Sequence, residues 1–69
     1  MPKFEVYLER IGEYRFRLRA RNGQIIAVSQ GYKSKEGCIK GIESVRVNAP
    51  IARIVEIEAE HKEGVEAAT

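Results

Sequence analysis

Residues 14–28 read YRFRLRARNGQIIAV, and this stretch decides the fold. Its first half places apolar side chains at even positions and arginines at most odd ones, which is typical of a strand with one buried face. The pair Asn22-Gly23 then predicts a β-hairpin, because both residue types tolerate a positive φ. The stretch therefore predicts two antiparallel strands joined by a tight turn.

The strand after this turn is apolar at both odd and even positions, so the sequence allows two pairing registers with the preceding strand. A strict two-residue turn would place Ile25 and Ala27 beside Leu18. A three-residue loop with a bulge at Gly23 would instead place Ile26 beside Leu18 and Val28 beside Phe16. We favour the bulge, because it puts the larger side chains into the core.

Two further strands flank this hairpin. Upstream, residues 4–9 alternate apolar with mostly acidic side chains, and residues 11–13 supply a turn. Downstream, residues 54–59 alternate again, with apolar side chains opposed to glutamates. Residues 60–69 are polar and small, and we expect them to be frayed. The prediction is one domain over residues 1–59 followed by this tail.

One helix is expected between the third and fourth strands. Ser34 is a suitable N-cap, and Glu36 in the first turn suits the helix dipole. Pro50 ends the helix, because the residue before proline resists α geometry. Gly37 and Gly41 predict that the helix backbone packs closely on the sheet or on a partner helix, since glycine inside a helix costs up to about 1 kcal/mol relative to alanine. The apolar stripe of the helix comprises Cys38, Gly41, Ile42, Val45 and Ala49.

These elements predict an α+β fold, a β-β-β-α-β unit with an antiparallel sheet and one helix per chain. The predicted core consists of the inward-facing residues Phe4, Val6, Leu8, Phe16, Leu18, Ile26, Cys38, Ile42 and Val45. Four strands about 4.8 Å apart make a sheet ~20 Å wide, whereas a helix covers a strip of only ~10 Å. About half of the apolar face would stay exposed in a monomer, which predicts a homodimer.

Length and composition narrow the possibilities. A chain of 69 residues has room for one domain that is marginally stable alone. The single cysteine, Cys38, excludes an internal disulfide, and its distance in sequence from His61 argues against a structural metal. Oligomerisation is the stabilising option left. A charged N-terminus and the lack of a long apolar run predict no signal peptide and no membrane partner, so we expect a cytoplasmic protein without a cofactor.

The net charge of +2 is unevenly distributed. Residues 1–53 hold eleven Lys and Arg against five Glu, whereas residues 54–69 hold one Lys against five Glu. A basic body with an acidic end either binds a polyanion or neutralises itself.

Residues 12–50 resemble the YegP-like family of small uncharacterised proteins. The resemblance is carried by GEYRFRL at residues 12–18, by Asn22-Gly23, by the loop that ends at Gly31-Tyr32, and by Gly41-Ile42. It implies a β-β-β-α-β unit, found as tandem repeats or as paired chains that share one sheet and exchange their C-terminal strands. This chain resembles the single-unit form, which implies a partner copy. The resemblance implies no established activity, so no residue inherits a catalytic or binding role.

The row Arg15, Arg17 and Arg19, with Arg21 at its end and Tyr7 on the neighbouring strand, is the candidate binding site. A sheet face that combines arginine with an aromatic ring can bind single-stranded nucleic acid by charge and stacking. The competing interpretation is a ladder that neutralises itself through cross-strand pairs. The glutamates available on this face are Glu5, Glu9, Glu56 and Glu58. We favour the ladder.

Three function classes follow. The first is a small non-enzymatic homodimeric module of unknown biochemical activity. The second is a nucleic-acid-binding protein that uses the arginine row. The third is a small enzyme with a pocket at the dimer interface, although the sequence offers no acid–base pair for it. Cys38 lies within the apolar helix stripe, which favours packing over a reactive thiol. A loop containing Ser29, Tyr32 and Ser34 is more typical of a helix cap and a buried ring than of an anion site.

Overall fold

The computed structural model describes residues 1–58. Its elements are β1 (Lys3–Leu8), β2 (Tyr14–Arg19), β3 (Ile25–Val28), α1 (Lys35–Asn48) and a 3-10 turn, Ala49–Ile51. The three strands form one antiparallel sheet in the order β1-β2-β3, which makes β1 and β3 its edges. The α+β class is confirmed. Ala59 and the predicted tail over residues 60–69 lie outside the described residues.

The β1–β2 hairpin follows the period-2 pattern of the sequence. Val6 lies opposite Phe16 on one face, and Glu5 lies opposite Arg17 on the other. Because side chains alternate across a strand, the apolar residues share the face that packs on α1 and the arginines share the opposite face. All six residues of β1 pair with β2 without interruption.

The turn between β2 and β3 has the predicted glycine bulge. Gly23 has a φ of 88°, and its N–H donates to the carbonyl of Ala20 at 2.9 Å. However, a second irregularity lies between the partners of Leu18 and Arg19, so that Ala27 rather than Ile26 is opposite Leu18. The predictions that Ile26 lies beside Leu18 and Val28 beside Phe16 were therefore wrong, because Ile26 is an extra residue in β3 and Val28 lies opposite Arg17.

Helix α1 begins at a side-chain cap and buries one stripe. The Ser34 Oγ accepts a hydrogen bond from the Gly37 N–H at 3.0 Å, which confirms the predicted N-cap. Phe16, Cys38 and Ile42 are buried and form the core. The half-buried residues Phe4, Val6, Tyr14, Tyr32 and Val45 pack around it.

Two predicted core residues are exposed in this chain. Leu8, the last residue of β1, is 58% exposed, and Ile26, at the irregularity in β3, is 60% exposed. The helix packs on β1 and β2 but not on β3, which leaves Ile26 uncovered, whereas Leu8 lies at the end of β1 beside the β1–β2 turn. Leu18 is half-buried.

Within the described chain, the two helix glycines lie against the ring of a loop residue, Tyr32. A Cβ at Gly41 would lie 2.7 Å from Cζ of Tyr32, and a Cβ at Gly37 would lie 3.8 Å from the same ring. The close approach inferred from the glycines is therefore confirmed at Gly41, where its partner is the Tyr32 ring, whereas the distance from Gly37 to this ring is that of an ordinary van der Waals contact.

The segment after the 3-10 turn forms no strand within the described chain. Residues 52–57 pair with neither edge of the sheet, so the described part of the strand predicted over residues 54–59 makes no strand pairing within the single chain. Ile54 is 97% exposed, Val55 62% and Ile57 68%. No helix in residues 1–58 has the length and apolar character needed to cross a membrane.

Candidate functional site

The arginine face is the side of β1 and β2 that points away from α1, and it carries Tyr7, Arg15, Arg17 and Arg19. Its centre is a carboxylate that several cations share. The Glu5 Oε1 accepts hydrogen bonds from Arg17 Nε at 2.6 Å and from Arg19 Nε at 2.8 Å. Lys3 Nζ lies 3.4 Å from the other oxygen of Glu5. Hydrogen bonds from Arg17 and then Arg19 lower the pKa of Glu5 from 4.5 to about 2.

A second ion pair lies nearer the β1–β2 turn. Arg15 Nε is 2.9 Å from Glu9 Oε1, a close pair whose geometry falls outside that of a hydrogen bond. The Glu9 carboxylate raises the pKa of Arg15. Arg15 also donates from Nη1 to the carbonyl of Ser29 at 2.7 Å, which ties β2 to the end of β3.

The aromatic ring of this face is covered by a guanidinium. Arg17 Cζ lies 4.6 Å from the centre of the Tyr7 ring, a cation–π contact. One face of the ring is thereby occupied by Arg17. Arg21 lies in the β2–β3 turn and is exposed.

The structure therefore brings together most of the predicted site, but with a different charge balance. Tyr7, Arg15, Arg17 and Arg19 share one face with Glu5 and Glu9, as the sequence predicted. In contrast, Glu56 and Glu58 do not lie on the sheet of this chain, because their segment forms no strand here. Among the described residues, three cations surround Glu5, which leaves an excess of positive charge near Lys3.

An apolar cleft of about 390 Å³ lies where the helix leaves β3 uncovered. Its lining residues are Phe4, Phe16, Leu18, Ala27, Val28, Ser29, Gln30, Tyr32 and Val45. The Ser29 hydroxyl is already engaged, since it accepts from the Phe16 N–H at 2.9 Å and donates to the Gln30 carbonyl at 2.7 Å. Apart from Tyr32, none of these lining residues is ionisable, so the cleft suits an apolar surface better than acid–base chemistry.

Sequence reasoning missed this cleft. Two features of the sequence could have indicated it. The third strand is apolar at both odd and even positions, and one helix can cover only part of the sheet. The loop before α1 is held by its own contacts, as predicted. Tyr32 exchanges backbone hydrogen bonds with Tyr14 at 2.8 and 2.7 Å, and its ring stacks on Phe16 with centroids 6.3 Å apart.

Cys38 is fully buried in the core between the helix and the sheet. Burial raises the pKa of its thiol, so the thiolate is disfavoured at neutral pH. Residues 1–58 contain no group of His, Cys, Asp or Glu side chains placed to hold a metal ion.

Comparison with known proteins finds a matching family and relatives whose names state no activity. The model of a family described as a domain of unknown function, DUF1508, matches residues 10–56. A UPF0339 protein of Methanosarcina acetivorans is 78% identical over 58 residues, which are 84% of this chain and 100% of that protein. A UPF0339 protein of Stutzerimonas stutzeri is 60% identical over 47 residues, 68% of this chain but only 42% of that protein. A solution structure of a Haloferax volcanii protein matches with a TM-score of 0.75 and 44% identity, covering 81% of this chain and 95% of that one.

Proposed function

The chain belongs to the DUF1508 family, whose function is unknown, and from that premise we propose that it is a non-enzymatic homodimeric module in which each copy completes its partner's sheet with its C-terminal strand. The observation that carries the proposal is the exposure of Ile54, Val55 and Ile57 in the described chain. Three branched apolar side chains within four residues are poorly placed in water, and such patches mark interfaces.

The backbone of the same segment supports the proposal. In the described chain, the peptide groups of residues 53–57 make no sheet hydrogen bonds, and both β1 and β3 are open edges. An edge strand offers a row of unpaired N–H and C=O groups that a strand from another chain can satisfy. Exchange of this segment between two copies would pair its peptide groups with those of the partner's sheet edge. It would also cover the apolar side chains of the segment.

The size of the domain points in the same direction. A single chain of 69 residues in which three apolar residues of the described part are buried has a small core. In the Stutzerimonas stutzeri relative, more than half of the length lies outside the match, which leaves room for a second unit of this size in one chain. Both facts favour two units as the stable assembly.

The non-enzymatic part of the proposal rests on the chemistry of the cleft. Its lining combines aromatic and aliphatic side chains with a serine hydroxyl whose hydrogen bonds are already made. The shortest ion pairs of the described chain, those of Glu5 and Glu9, lie on the opposite face of the sheet. We also propose a cytoplasmic location, because the buried thiol of Cys38 suits a reducing compartment.

Size-exclusion chromatography with light scattering tests the dimer at micromolar concentration. We expect a mass about twice 7.8 kDa. The combined variant Val55→Lys/Ile57→Lys should lose the dimer, whereas Val47→Lys on the helix surface should keep it. Val47 and Ile57 are both 68% exposed in the single chain, so the comparison separates a dimer contact from a simple change of surface. A monomeric wild type with a cooperative thermal transition would disprove the proposal.

A further inference from the structure

The sheet has two open edges on which an exchanged strand could pair, and they differ in regularity. Strand β1 pairs through six consecutive residues, whereas β3 has four residues and an irregularity at Ile26. Residues 53–58 are also six in number. A regular six-residue edge suits this segment better than a short, interrupted one.

The side chains along each edge also differ. On the arginine face of β3, the residues opposite Arg17 and Arg19 are Val28 and Ile25, both apolar. A strand added there would set Glu56 and Glu58 beside apolar side chains. On the same face of β1, the first residue is Lys3, whose side chain is 62% exposed.

Building on the proposed dimer, we propose that residues 53–58 of one copy pair antiparallel with β1 of the other, with Glu58 opposite Lys3. On the core face, this register sets Ile57 beside Phe4 and Val55 beside Val6, two apolar pairs. On the arginine face, it sets Ile54 beside the Tyr7 ring.

The charges near Lys3 fit this register. Within the described residues, Glu5 is shared by Lys3, Arg17 and Arg19, so this end of the face has three cations and one carboxylate. The proposed register brings Glu58 to Lys3 and sets Glu56 opposite Glu5. The carboxylates of Glu5 and Glu56 can lie side by side there because three cations surround them. With Glu58, the added strand brings the local count to three cations and three carboxylates.

Sliding the strand by two residues in one direction spoils the arginine face. Glu58 would then move from Lys3 to lie opposite Glu5, and Glu56 would move from Glu5 to the Tyr7 ring. Ile54 would lie beside Glu9, a carboxylate already paired with Arg15. An apolar side chain against an ion pair is a poor match, whereas the same side chain against an aromatic ring is a good one.

Two further registers fail on the core face or on charge. Sliding by two residues in the opposite direction would set Arg53 against Val6, which places a guanidinium on the apolar side. In the proposed register Arg53 instead lies opposite Leu8, at the end of β1, where its side chain can extend into water. A parallel strand that keeps Glu56 beside Glu5 would set Ile54 against Lys3 and move Glu58 to Tyr7.

A charge exchange between two copies tests the inference. The variants Lys3→Glu and Glu58→Lys are made separately, and one of them is labelled uniformly with ¹⁵N. In each homodimer, both copies of the proposed pair carry like charges. We therefore expect the dissociation constant of the dimer to be on the order of 10-fold higher than that of wild type. In a heterodimer of the two variants, the glutamate introduced at position 3 of one chain faces the lysine introduced at position 58 of the other. The second pair is the wild-type Lys3 and Glu58, so both pairs carry opposite charges and attract.

Native mass spectrometry of the equimolar mixture measures the result. We expect the heterodimer to exceed the half of all dimers that random pairing gives. Any cost of Lys3→Glu within its own chain is present in homodimer and heterodimer alike and cannot produce this preference. The control mixture, Lys40→Glu with Glu58→Lys, places its first change on the exposed helix surface and should give random pairing.

The possible failures are distinguishable. If wild type is monomeric, the dimer and this inference both fall. If wild type is dimeric but the mixture pairs at random, the dimer stands and the register is wrong. If a chain carrying both substitutions is as stable as wild type while mixing the single variants gives no heterodimer, the segment pairs with β1 of its own chain, and the exchange is wrong.

Discussion

The ring of Tyr32 lies across the backbone of Gly41, so close that a Cβ at position 41 would fall 2.7 Å from the ring atom Cζ. The ring has little freedom to withdraw. Its backbone exchanges two hydrogen bonds with Tyr14, and the ring itself stacks on Phe16 at an interplanar angle of 21°. Tyr32 thus joins the loop, the sheet and the helix at one point.

Gly41→Ala should therefore destabilise the protein, although alanine is the better helix former. Propensity alone favours alanine by about 1 kcal/mol, and overpacking of a well-fitted contact costs about 1–3 kcal/mol. We expect a net loss of roughly 1 kcal/mol in the free energy of unfolding, measured by urea titration.

Gly37→Ala is the matched control, one helical turn earlier. A Cβ there would lie 3.2 Å from Ser34 Oγ and 3.8 Å from the Tyr32 ring, which a small adjustment can accommodate. The propensity gain should then dominate, and this variant should be as stable as wild type or more so. Equal effects of the two substitutions would contradict the role assigned to Tyr32.

The second prediction concerns the centre of the core. Phe16 is 5% exposed and contacts Phe4 edge-to-face, with centroids 5.7 Å apart. Phe16→Ala should cost about 3–5 kcal/mol, which is a large share of the stability of a domain this small. Val47→Ala, an apolar truncation on the helix surface, should change the melting temperature by little. A folded Phe16→Ala variant with a wild-type melting temperature would show that the core lies elsewhere.

Much of the fold could be predicted from local patterns. In β1 and β2, every even-numbered residue is apolar, and this alternation predicts both that the segments are strands and which face of each strand is buried. Gly23 could be placed because its turn requires a positive φ. The register of β3 could not be derived, because Ile25, Ile26 and Val28 are apolar on both parities and give no preference for either face.

The candidate site was less accessible to prediction. The arginine row is a period-2 feature, so its common face followed from the sequence. Its charge balance did not, because this depends on whether Glu56 and Glu58 reach the sheet. The contact between Tyr32 and Gly41 joins a loop to a helix, and such a pairing leaves no periodic signal.

A third prediction concerns the thiol. Cys38 has no exposed surface, and burial raises its pKa, so both access and thiolate formation are disfavoured. Ellman's reagent should label the native protein far more slowly than the protein unfolded in guanidinium chloride. Labelling at equal rates would contradict the buried position and support a reactive cysteine.

The fourth prediction concerns acid stability. The pKa of Glu5 is lowered in the folded state to about 2 from 4.5. A lowered folded-state pKa means that the unfolded chain binds the proton first, so this contribution is present above pH 4.5 and is lost as the pH falls toward 2. Glu5→Gln should lower the melting temperature at pH 7. It should also reduce the decrease in melting temperature between pH 4.5 and pH 2.

Glu43→Gln serves as the control for Glu5→Gln. Glu43 pairs with Arg46 on the exposed helix surface, where side-chain exposures exceed 60% and ion pairs contribute little. This variant should retain the wild-type decline of melting temperature with acid. If both variants decline in parallel with wild type from pH 4.5 to 2, the cations around Glu5 do not stabilise its charged form.

The last prediction is that the arginine face has a chiefly structural role. Arg15, Arg17 and Arg19 are each engaged with a carboxylate, and Arg17 also covers the Tyr7 ring. Replacing the three arginines with glutamine should lower the melting temperature, because Glu5 and Glu9 then lose these partners. Binding to a fluorescent single-stranded oligonucleotide, measured by anisotropy, should be weak for wild type at physiological salt and unchanged in the triple variant.

Salt dependence makes this last test decisive. A face that contacts phosphates releases counterions, and each lost contact with a single strand flattens the slope of log K against log salt by about 0.7. If the arginines contact nucleic acid, the triple variant should bind more weakly and show a flatter slope, by up to three such steps. If they serve the sheet, as their carboxylate partners indicate, the slope should not change while the thermal transition falls. Micromolar binding by wild type that disappears in the variant would instead assign the arginine face to nucleic-acid recognition.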